Sequence, residues 1–97
     1  MTVTSGADDA WLADFAALVH GLIARQPRSA GVGALLSSLN MARNAEEELA
    51  VDDACHVVEY FGMSLSRAQY ASLAELADRV GQADSLEEID LKPFVAD

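Results

Sequence analysis

At 97 residues the chain is long enough for one domain with a small core and too short for two. Its formal charge of −10 lies entirely in the second half: residues 1–44 hold three acids against three arginines, and residues 45–97 hold thirteen acids against three bases. That surface argues against nucleic acid as a direct partner, because a polyanion is repelled. It suits a basic protein, whose encounter it would steer, and equally a plain role in solubility.

Residues 1–7 read as a disordered lead-in; the opening MTVTSGADDA has neither the basic nor the apolar stretch of a signal peptide. Asp8 and Asp9 can cap a first helix through about Arg25, which Pro27 ends. Trp11, Leu12, Phe15, Leu18, Val19, Leu22 and Ile23 line one broad face of it, with Ala13, Ala17, His20 and Ala24 opposite. This widest apolar arc is the expected centre of the core. Ser29 opens a shorter second helix to about Asn40, striped by Val32, Leu35, Leu36 and Leu39 and weakened by Gly31 and Gly33. Met41 to Asn44 reads as a linker.

The third segment, Ala45 to Gly62, has the clearest pattern. Ala50, Ala54, Val57, Val58 and Phe61 fall on one helical face, and Glu48, Asp52, His56 and Glu59 fall on the other. Asn44 with Glu47 reads as a capping box, and Gly62 as the stop. Leu49 and Tyr60 lie on a flank beside Asp53 and His56, either covered by a neighbouring helix or exposed as an anchor rimmed by acids. Met63 to Leu65 is a tight link. Ser66 with Gln69 is a second capping box, opening a fourth helix from Arg67 to Val80 with Tyr70, Leu73, Leu76, Ala77 and Val80 inward and Gly81 as its terminator. In the tail, residues 82–97, Ser85 with Glu88 signals one further turn, Pro93 limits it, and Leu91, Phe94 and Val95 can fold back onto the bundle.

No strand-like alternation or internal repeat is present. The expectation is a single all-α domain over residues 1–97, a small antiparallel bundle of about four helices. No apolar run reaches the ~18–20 residues of a membrane span, so no membrane partner is expected.

Chemistry is sparse. Asp52, His56 and Glu59 share a face at i, i+4 and i+7, but a metal needs three or four convergent ligands and no second cluster accompanies them. Cys55, the only cysteine, permits no intramolecular disulfide and points about 100° away from its neighbour His56, so the two cannot act as nucleophile and base. No nucleophile elbow, phosphate loop or zinc motif occurs. No catalytic residue, metal or cofactor is expected; the candidate residues are for binding a partner: Glu48, Asp52, Asp53, His56, Glu59 and Tyr60, with Asp52 and Glu59 expected at the surface and Tyr60 as anchor.

Residues 46–81 carry a family resemblance. Glu48-Leu49-Ala50, an acidic helix containing Cys55, the Leu65-Ser66 link and a helix ending at Gly81 resemble the small helical immunity proteins of contact-dependent growth inhibition and related polymorphic toxin systems, the MafI-like group among them. In place of the glycine that usually precedes the glutamate, this chain has Glu46-Glu47-Glu48. The resemblance implies a non-catalytic protein that neutralises a cognate toxin by binding it; the single cysteine and the opening without a signal-peptide pattern make the cytoplasm the default expectation, and the oligomeric state stays open with a monomer favoured. In such systems the toxin is often a nuclease with a basic groove, which an acidic helix can occupy. The competing expectation, from another class, is a small acidic regulatory or scaffold protein that self-associates through a helical face.

Overall fold

In the computed structural model, which describes residues 9–26 and 29–96, the amphipathic segments form five α-helices: α1 (Asp9–Arg25), α2 (Val32–Arg43), α3 (Glu47–Phe61), α4 (Arg67–Arg79) and a short α5 (Ala83–Glu88). A 3-10 turn, Lys92–Phe94, follows. Among the described residues there is no strand beyond a single bridge between Leu65 and Val95, and the fold is an all-α bundle. The lead-in over residues 1–7, the cap at Asp8 and the stop at Pro27 lie outside the described residues.

Helix α1 buries Trp11, Phe15, Leu18, Val19 and Leu22, one continuous arc at helical spacing. The rings of Trp11 and Phe15 stack with centroids 5.1 Å apart. The Trp11 indole N–H donates to the Leu76 carbonyl at 3.0 Å, so its one polar atom is satisfied inside the core. Asp14 meets Arg79 at 3.3 Å, and Gly21 leaves room for the Gln69 side chain, so α1 and α4 run antiparallel.

Helices α2 and α3 form the second antiparallel pair. Their boundary differs from the sequence reading at three points. The second helix begins at Val32 rather than Ser29, because Gly31 takes a left-handed φ of 84° that no preceding helical turn can continue through. It also runs on to Arg43, so Met41 to Arg43 is its last turn and no linker; burial of Ala42 at i+7 from Leu35 extends the apolar stripe by that turn. Asn44 makes no capping box with Glu47. Its side-chain amide donates instead to the Asn40 carbonyl at 3.0 Å, closing α2, while Ala45 at φ 63° turns the chain and Glu46 takes the N-cap position of α3.

Gly62 ends α3 in the left-handed conformation. Ser66 and Gln69 make the reciprocal capping box: the Ser66 hydroxyl accepts from the Gln69 N–H at 3.0 Å, and the Gln69 side-chain oxygen accepts from the Ser66 N–H at 2.9 Å. In the tail, α5 starts at Ala83, two residues ahead of the expected cap. Ser85 is buried inside that helix because its hydroxyl is engaged by α3. Leu91 is buried, and Phe94 and Val95 are partly so. The tail is fastened from two sides. Leu65 exchanges backbone bonds with Phe94 and Ala96, and the Arg25 guanidinium reaches both the Ala96 carbonyl and the Ser64 hydroxyl.

Candidate functional site

Helix α3 turns one face to its neighbours and one to solvent, and two adjacent aspartates set the angle. Asp52 and Asp53 project about 100° apart, as consecutive helical residues must. Asp53 accepts a 2.6 Å hydrogen bond from the Ser38 hydroxyl of α2. Asp52 accepts a 3.0 Å bond from the Ser85 hydroxyl of α5. Bonds to a charged acceptor are the stronger kind, so this pair of contacts fixes α3 about its own axis.

What remains outward is a stripe at i, i+7 and i+11: Leu49, His56 and Tyr60, flanked by Glu48 and Glu59. Leu49 is 60% exposed and Tyr60 82%, so no neighbouring helix covers that flank. His56 and Glu59 are exposed as well. Asp52 departs from its expected place at the surface: its side chain is 39% exposed and is shared between Ser85 and His56, whose Nε2 lies 3.5 Å away. Asp53 is half-buried against Ser38. Of the six candidate residues, Glu48, His56, Glu59 and Tyr60 therefore present free surface, while Asp52 and Asp53 mainly position the helix that carries them.

Phe61 is the feature the sequence reading placed differently. It stands on the apolar face by spacing yet is 41% exposed, because the helix ends there and the bundle does not extend over it. Its ring packs edge-on to Tyr60, with centroids 4.9 Å apart and planes at 83°. His56, Val57, Glu59, Tyr60 and Phe61 line an open depression of about 320 Å³. A larger open depression, about 410 Å³, lies between α1 and α4; its rim is small and polar, and its Asp14 is already paired with Arg79.

Cys55 faces the core with no exposed surface. Burial first, and the nearby Asp52 charge second, push its thiol up to about 12, so it stays protonated and unreactive. Among the described residues no group of three or more His, Cys, Asp and Glu side chains is placed to hold a metal, and no helix is long and apolar enough to cross a membrane.

No protein-family model, curated protein or solved structure matches this chain.

Proposed function

We propose that this chain is a non-catalytic binding protein of the cytoplasm that uses the outward face of α3 to engage a basic protein domain, and that it serves as the immunity partner of a toxin. One observation carries the reading: Tyr60, 82% exposed and braced by Phe61, stands beside the exposed acid Glu59, with exposed Glu48 at the far end of the same helix, on a chain of charge −10. A large aromatic at the surface within a like-charged rim has the make-up of an interface anchor. The acids would meet lysines and arginines in a groove that otherwise holds nucleic acid, and the bound chain would block it. The resemblance over residues 46–81 and the exposure of Glu48, His56, Glu59 and Tyr60 support this reading.

Leu49 and Tyr60, both uncovered, also favour the second reading, self-association. Two copies meeting through this face would bring Glu48 and Glu59 of one against those of the other, so a basic partner ranks first. The test is rescue. The C-terminal domain of the protein encoded beside this chain is expressed in a sensitive host with and without it. Growth restored only when the chain is present supports the reading; continued toxicity with the chain folded and abundant overturns it.

A further inference from the structure

The C-terminal end of α3 gathers several features that favour one kind of ligand. The helix has Glu47 and Glu48 in its first turn and no basic residue in its last, so no side chain of its own offsets the negative end of its dipole. Among the described residues no backbone N–H reaches the Tyr60 or Phe61 carbonyl. Glu59 adds an exposed carboxylate on the same turn. Tyr60 adds an open aromatic face, and Phe61 holds that ring edge-on. Phe61 is itself held from behind by the start of α2: a Cβ on Gly31 would come within 2.9 Å of the Phe61 ring, so the two elements already touch there. The aromatic pair is thus set before any ligand arrives, which lowers the ordering cost of binding.

We propose that the depression lined by His56, Val57, Glu59, Tyr60 and Phe61 is a seat for an arginine side chain presented by the partner protein. A planar guanidinium can stack on Tyr60 and donate two parallel N–H bonds to Glu59, and its charge answers the helix end. His56, one turn back, lies between the directions of Glu59 and Tyr60 and lines the same depression. An ammonium makes a point contact with the carboxylate and stacks less well. An apolar side chain would use the rings and leave the carboxylate and the helix end unanswered, and an anion is repelled. The inference rests on the reading of this face as a protein-binding surface and narrows what it recognises.

The test needs no partner protein. Backbone amide shifts of the isotopically labelled chain are followed while N-acetyl-arginine amide is added, with N-acetyl-citrulline amide as the uncharged analogue of matching shape and N-acetyl-lysine amide as the ammonium. The expected result is saturable shifts confined to residues 56–62 at millimolar arginine derivative, weaker ones with lysine and none with citrulline. Tyr60→Ala and Glu59→Gln, both at exposed positions, should each weaken the binding at least about threefold while circular dichroism shows the helices intact. Shifts spread evenly over Glu46 to Glu48 and the α5 acids, equal binding of the citrulline derivative, or affinity unchanged in both variants would overturn the seat. Failure here leaves the wider binding role standing, and failure of the toxin rescue leaves this titration as it was.

Discussion

Replacing Ser38 and Asp53 singly and together measures how firmly α3 is held at its angle. Ser38 is completely buried, and its hydroxyl lies 2.6 Å from Asp53 Oδ2 and 3.2 Å from the Ala34 carbonyl one turn earlier. With a single hydrogen to give, it donates to the nearer, charged oxygen. A hydrogen bond to a charged group contributes about 1.5–3 kcal/mol, and the low end applies because Asp53 is only half-buried and can regain water. Alanine recovers roughly 0.5 kcal/mol through better helix propensity, so Ser38→Ala should cost about 1 kcal/mol. Asp53→Ala should cost about as little, because the freed hydroxyl can turn to the Ala34 carbonyl and no buried donor is orphaned. The double variant should then show a coupling energy of about 1 kcal/mol in a urea-denaturation cycle. Additive effects within about 0.3 kcal/mol would mean that the contact does not hold the helix.

Two further outcomes follow from the packing. Gly31→Ala places a methyl group 2.3 Å from buried Met63 Cε and 2.9 Å from the Phe61 ring at a left-handed φ, whereas the same change at Gly62 meets open space. The first should lose about 2–4 kcal/mol and the second about 1 kcal/mol, and equal urea midpoints would refute the close approach. The Cys55 thiol, with an ordinary value near 9.0, is pushed up to about 12 by burial and by Asp52. The folded chain therefore keeps a proton that the unfolded chain has lost between those values, so this contribution to stability is full below pH 9 and falls as pH rises from 9 towards 12, approaching about 1.4 kcal/mol per pH unit. Urea stabilities of the native chain and of Cys55→Ala from pH 8 to 10 check it; an identical slope in the two would contradict the burial.

The elements that sequence alone places well are those fixed by local rules. Helix α4 is bounded by a capping box and a glycine, both within one turn of it, and the arc of α1 is wide enough to read directly. The errors have two sources, an unforeseen left-handed turn and a distant contact. Asn44 has the spacing of a cap, but the left-handed turn at Ala45 assigns it to the helix before. Ser85 has the spacing of a cap too, yet Asp52, far back in the chain, draws its hydroxyl into the bundle. Ser38 was readable in part: it lies at i+3 from Leu35 and i−4 from Ala42, and a polar residue on an apolar stripe needs a buried partner. Nothing in the spacing named Asp53 as that partner. The acidic face of α3 was legible as a pattern. That its two central aspartates are already engaged, and that Phe61 joins Tyr60 at the surface, required the packing.

The central claim is that the outward face of α3 binds a basic protein, and the direct measurement is calorimetric affinity for the protein encoded beside this chain, at two salt concentrations. Charge reversal belongs at Glu48 and Glu59, since Asp52 also holds α5. Tyr60→Ala should cost on the order of 2 kcal/mol, roughly thirtyfold in Kd. The Glu48→Lys, Glu59→Lys double variant should bind at least about tenfold more weakly and lose much of its salt dependence, with its circular dichroism unchanged. Affinity equal to that of the native chain in both variants would remove α3 from the interface and leave its charge as a matter of solubility.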